Sequence, residues 1–265
     1  MIYVTVADKR MRTATNLLLL SLAVVDLLYV IGNILYAATA FLVYPEENEE
    51  YIFCKELTIS IACSFVITAY TLLSVSIVRY IVIVHPQRAK TLVTQKTVCL
   101  LIAIIWIVSI ATLTPVQILL PCRYDLPMTK DVKTFTFYYF LFGFAIPLTL
   151  IAVFSFLTFR VLRKPSLAAN QKSDDNKRRA SRMMVIVCAA FAACFILYFV
   201  QHLTPVNNYL SSRGMSVYRY ISAFLRLGNS CINPIIYSFA SRDFRSRFRD
   251  ALCCCFCMTC VVSRR

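Results

Sequence analysis

Three ionisable side chains stand inside long apolar runs: Asp26 in LAVVDLL, Arg79 in VSIVRYIVIV and Arg226 in AFLRLGN. Charges in a hydrocarbon setting face an interior partner, a water-filled cavity or a ligand. Asp26 is a lone mid-span carboxylate and needs a partner on another helix. Arg79 lies near the end of its run and has to reach water or a polar group. Arg226 lies one turn above Ser230, and three roles are open for it. It can meet an anionic ligand group or a peptide C-terminus, pair with Asp26, or snorkel outward. Tyr198, Phe199 and His202 in ILYFVQH, with Arg123 and Arg219 nearer a rim, add aromatic and basic groups. No H-E-x-x-H, G-x-S-x-G or phosphate-binding loop accompanies them, so the chemistry is binding rather than catalysis. The chain is not expected to be an enzyme, and no organic cofactor is expected.

The elements that must hold these groups are membrane helices. The chain is 59% hydrophobic with four glycines, and apolar runs of bilayer length recur along it. Six full spans are expected, over 14–42, 51–84, 95–120, 134–162, 177–206 and 214–239. They lack strand-like alternation and are too long for barrel strands, giving an all-α membrane protein. Residues 1–6 read as the end of a preceding helix, with no recognisable signal peptide. The net charge of +15 comes mainly from loops on one side, such as 88–96, 160–182 and 242–249. The opposite side carries Glu46, Glu47, Glu49 and Glu50. This is the positive-inside pattern of a protein facing anionic inner-leaflet lipid, and no groove-reading motif argues for nucleic acid.

Cysteine usage follows the same geography. Cys54 and Cys122 sit at outer helix ends, where a disulfide is chemically permitted, whereas Cys63, Cys99, Cys188, Cys194 and Cys231 are small apolar fillers inside spans. Cys253, Cys254, Cys255 and Cys257, with Cys260, crowd the tail and suggest S-acylation; paired zinc spacing with a His is missing. Between them and the last span, 241–252 reads as a short interfacial helix, with Phe244, Phe248, Ala251 and Leu252 on one face.

Several stretches together resemble rhodopsin-like (class A) G-protein-coupled receptors. VRYIVIVHP resembles the end of their third helix, LAVVDLL their second, FGFAIP their fifth, and GNSCINPIIY the N-P-x-x-Y end of their seventh. The resemblance implies a seven-helix bundle over 1–240, with 1–6 the remnant of the first helix and 253–265 a cytoplasmic tail. It implies a disulfide between Cys54 and Cys122, and a sodium ion held by Asp26 with Thr68, Asn229, Ser230 and Asn233. For Asp26, a protonated carboxyl hydrogen-bonded to Asn233 stays open beside the ion. It also implies that Arg79, Tyr80, Pro147, Phe191, Phe195, Pro234 and Tyr237 work the switch that meets a heterotrimeric G protein, and arrestin, at the inner face. The expected location is the plasma membrane, as a multi-pass protein.

Three departures refine this. Val78 stands where the family has an acid beside Arg79, which predicts ligand-free signalling that Val78→Asp would lower. Phe195 and Leu197 replace the sixth helix's Trp and Pro, so nothing forces a kink there. Ile61 stands where aminergic receptors carry Asp. Residues 85–109 are similar to peptide receptors of the neurotensin, neuromedin U and ghrelin branch, so the expected ligand is a neuropeptide. The alternative is a truncated, non-signalling form that regulates a full-length partner. A transporter fits less well, since no repeats with interrupted helices are present.

Overall fold

The computed structural model describes residues 13–42, 50–119, 130–163, 171–204 and 209–240; at several helix ends, 50–59 and 234–240 among them, it describes the backbone only. The expected first-helix remnant, the 241–252 helix, the tail cysteines, Cys122 and Arg123 lie outside the described residues, as do the side chains of Cys54, Pro234 and Tyr237. The described chain is helical throughout: α1 (Ala14–Leu42), α2 (Glu50–Val84), α3 (Pro86–Leu92), α4 (Gln95–Leu119), α5 (Lys130–Phe140), a π turn (Leu141–Ala145), α6 (Ile146–Leu162), α7 (Gln171–Leu203) and α8 (Ser212–Ala240).

The exposed faces are what a bilayer requires. Leu100, Ile107 and Phe156 are 61%, 66% and 59% exposed, a waste of apolar surface in water and a match to lipid. Five described helices are long and apolar enough to cross a membrane, within α1, α2, α4, α5–α6 and α7. The sixth expected span, α8, has the length at 29 residues. Its outer half is more polar, because Arg213, Arg219 and Arg226 lie along it.

α2 is the central post, packed against α1, α4, α6 and α7, while α8 closes the bundle between α7 and α1. Within the span Ser60–Val84 of α2, 78% is buried, against 22% for Gln95–Leu113 of α4, which faces outward. Several hydroxyls inside the helices are satisfied by carbonyls one turn back: Ser74 donates to Tyr70 at 2.8 Å, Ser76 to Leu72 at 3.0 Å and Thr158 to Phe154 at 2.8 Å, whereas the buried Thr71 and Ser222 hydroxyls meet no partner among the described residues. Trp106, mid-way along α4, donates Nε1–H to Ser21 Oγ at 3.0 Å and ties α4 to α1.

Two boundaries differ from expectation. Pro86 does end α2, but it then serves as the first residue of α3, where its missing N–H costs nothing. The span expected over 177–206 starts earlier, since α7 already begins at Gln171. α7 then continues to Leu203 as one helix, consistent with the missing proline.

Pro147 acts upstream of itself. The Ile146 N–H reaches back to Leu141 C=O, a π-type bond. The Phe142 carbonyl then loses its α-helical donor, and Pro147 has no N–H to offer in its place. Tyr70 Oη on α2 supplies the donor, 3.1 Å from Phe142 O. Removing the hydroxyl by Tyr70→Phe leaves this carbonyl orphaned in hydrocarbon. The expected loss is about 1–3 kcal/mol, read by thermal unfolding in nanodiscs. Tyr139→Phe, whose hydroxyl meets the regular helical carbonyl of Ala62 at 3.3 Å, should cost less.

Candidate functional site

One stripe of α8 carries most of the predicted polar groups. Ser222, Arg226, Asn229, Ser230 and Asn233 recur at helical spacing and so share a face. Asn233 Nδ2 donates to Asp26 Oδ2 at 2.8 Å, joining residues 207 apart in sequence. Ser230 hydrogen-bonds the same carboxyl. Asp26, Thr68, Asn229, Ser230 and Asn233 are all buried, so each predicted member of this set points into the protein rather than into lipid.

Arg226 continues the stripe one turn outward and is half-buried. Asp26 is engaged with Asn233 and Ser230, and no ion pair joins it to Arg226 among the described residues. Instead the Arg226 guanidinium lies over the Tyr198 ring, 4.6 Å from its centroid, and its Nε–H meets its own helix at the Ser222 carbonyl, 3.4 Å away. Tyr198 and His202 rings are 4.4 Å apart, with His202 Nδ1 at 2.8 Å from the Tyr198 carbonyl. Tyr218 Oη donates to the Leu197 carbonyl at 2.8 Å, fixing α8 against α7 beside this cluster. Tyr29 and Tyr139 lie within electrostatic range of Arg226, and Arg219 within range of His202.

Inward of Tyr198, the aromatic residues form one packed body around Phe65 of α2. Its centroid lies 4.5 Å from Phe195, 5.5 Å from Phe191, 5.7 Å from Phe199 and 5.2 Å from Tyr139. Phe144 joins at 6.0 Å from Phe191 and 5.0 Å from Phe199. Phe191 and Phe195 were predicted members; Phe65, Phe144, Tyr29, Tyr139 and Tyr70 were not among the predicted site residues. Their only sequence signal is position: Tyr29 is one turn from Asp26, Phe65 one turn from Thr68, and Tyr139 two turns before Pro147.

At the inner end, Arg79 is half-buried, and the Tyr80 ring meets His85 edge-on at 5.7 Å and Phe154 at 5.4 Å. Val78 is only 5% exposed, within the main apolar core. An acid placed there would be buried, so Val78→Asp perturbs the core as well as Arg79.

The chain matches the model of the 7 transmembrane receptor (rhodopsin family) over residues 1–237. It belongs to that family. Its relatives include the allatostatin-A receptor of Bombyx mori, 30% identical over 96% of this chain and 74% of the relative. The somatostatin receptor type 4 of Rattus norvegicus is 28% identical over 97% and 70%, and the galanin receptor type 1 of Mus musculus 28% identical over 93% and 74%. Rhodopsin-family membership and the apolar helices make the chain a multi-pass plasma-membrane receptor.

Within this receptor the Phe65 body is tight enough to test. A Cβ added at Gly143, in the π turn, would stand 3.0 Å from Phe65 Cε1, a ring already wedged among five others. Gly143→Ala is expected to cost about 1–3 kcal/mol by overpacking. Combining it with Phe65→Leu should cost less than the sum of the two single changes, because one relieves the other. Thermal unfolding of the four proteins of this double-mutant cycle measures the coupling.

Proposed function

We propose that this receptor binds an extracellular neuropeptide and converts that binding into activation of a heterotrimeric G protein, with arrestin using the same inner face. The observation that carries the reading is the continuity of the outer cluster with the inner helix ends. Arg226 and His202 meet the Tyr198 ring, which meets Phe199; Phe199 packs on Phe65 of α2, and Phe65 in turn meets Phe191 and Phe195 of the same unbroken α7. A ligand that displaces Tyr198 must repack this body, and α7 carries the change inward to Lys177 and Arg178. Ile61 in place of an acid on α2 speaks against an amine ligand. The kinship with allatostatin, somatostatin and galanin receptors supports a peptide. The neurotensin, neuromedin U and ghrelin branch is a finer reading that rests on residues 85–109 alone. The first peptides to try therefore follow the relatives matched over nearly the whole chain.

A panel of allatostatin-, somatostatin- and galanin-type peptides, followed by the neurotensin-branch types, tests this on cells expressing the chain. At least one is expected to raise nucleotide exchange on a G protein. Arg79→Ala should lower that response about tenfold or more, the equivalent of one contact of about 1.4 kcal/mol, without lowering surface display. Peptide binding without nucleotide exchange would favour the alternative of a non-signalling regulator of a full-length receptor.

We also propose a sodium ion at Asp26. The donor set fits a hard monovalent cation, with one carboxylate and the oxygens of Thr68, Asn229, Ser230 and Asn233 on buried faces of three helices. Bound there, the ion supplies the counter-charge that an ionised Asp26 lacks. Sodium at ten times its dissociation constant should add about 1.4 kcal/mol to stability over choline at equal ionic strength. Asp26→Asn should abolish the difference in unfolding temperature; an equal response of wild type to both salts would mean that the hydrogen bond to Asn233 serves alone.

A further inference from the structure

We infer that Arg226 is the seat of a carboxylate carried by the ligand, an inference that rests on the peptide-receptor reading and names the chemistry of its ligand. Of the roles open to Arg226, pairing with Asp26 is not the one adopted, because that carboxyl takes its hydrogen bonds from Asn233 and Ser230. The guanidinium has five N–H donors in a rigid fork. Among the described residues only the Nε–H is used, on the Ser222 carbonyl at 3.4 Å. The plane is held from one side by the Tyr198 ring at 4.6 Å, which leaves the two Nη groups to form a bidentate bond with an anion.

The surroundings select the anion. His202 and Arg219 add positive or neutral donors near Arg226, and Tyr29, Tyr139 and Tyr198 add phenol groups. Asp26 is the one acid described within the membrane-spanning parts of the helices. A half-buried guanidinium in such a setting is strongly stabilised by a matched anion, since its solvation by water is already reduced. The half-buried rings of Tyr198 and His202 beside it offer a wall for an apolar side chain flanking that anion. A planar carboxylate next to an aromatic or aliphatic side chain fits both features. Peptides offer it in two ways, as a free C-terminus or as an Asp or Glu side chain.

Affinity selection on the full chain in nanodiscs separates these sources. The probe is a hexapeptide library made in matched C-terminal acid and amide forms, with and without Asp and Glu. The bound pool from the wild type is expected to be enriched about tenfold in carboxylate members. Arg226→Gln should remove the enrichment, and Arg226→Lys, which keeps the charge but not the fork, should retain part of it. Enrichment among acids free of Asp and Glu assigns the C-terminus; enrichment among amides bearing Asp or Glu assigns the side chain. A bound pool without carboxylate preference, or a preference that survives in Arg226→Gln, overturns the inference.

A second arm uses 3-phenylpropionate against 3-phenylpropionamide in thermal unfolding of the same proteins. If no peptide binds but the acid alone raises the unfolding temperature of the wild type and not of Arg226→Gln, the peptide reading falls and the carboxylate seat stands. If no peptide binds and acid and amide act alike, both fall.

Discussion

A polar group inside a membrane helix has no water to fall back on, and most of the internal architecture follows from that constraint. Several hydroxyls turn back to the carbonyl one turn earlier, as Ser74, Ser76 and Thr158 do. The carbonyl freed by the π turn is taken up by Tyr70 of α2. Asp26 draws Asn233 from the opposite end of the sequence. Each of these bonds contributes a modest net energy, but leaving any of them unmade costs more than making it contributes. The helices are thus registered against one another by their few polar residues, while apolar packing supplies most of the attraction.

The same constraint separates two kinds of buried charge. The carboxyl of Asp26 is answered inside the chain by Asn233 and Ser230. The guanidinium of Arg226 meets a ring face and a carbonyl of its own helix, neither of which carries a full opposite charge. Asn233, the partner of Asp26, and Arg226 lie about two turns apart along one stripe of α8, so the same stripe answers one buried charge and carries another.

Much of this was legible in the sequence because its carriers are local. Spans follow from runs of apolar residues, and the helical state of the chain, the burial of Asp26 and the break at Pro86 each follow from a short window. The Asp26–Asn233 bond was legible as one of two alternatives, since residue types limited the partners. Of the Phe65 body only Phe191 and Phe195 were legible, through the family resemblance, and its hub was not. Phenylalanines in apolar spans carry no mark that distinguishes a lipid-facing ring, such as Phe156, from a buried hub. That difference is decided by which neighbours the bundle brings round. Nor did the sequence reveal that Pro147 would be relieved by a π turn, because the donor that makes the turn tolerable sits on another helix. The start of α7 at Gln171 was missed for a different reason: charged residues suit an exposed helix as well as a linker, and composition alone does not separate the two.

The unbroken course of α7 has a mechanical side. A helix with a proline hinge can swing its inner half while the outer half stays in place. This one has no such joint between Gln171 and Leu203, so motion at one end is shared by the other. Taking Phe191 as the pivot, the inner arm is about 30 Å long at 1.5 Å per residue, and each degree of tilt moves its tip by about half an ångström. The outer arm, from Phe191 to His202, is about half that length. Small shifts of Tyr198 and His202 therefore emerge roughly doubled at the inner surface: the helix is a lever with its short end at these two rings.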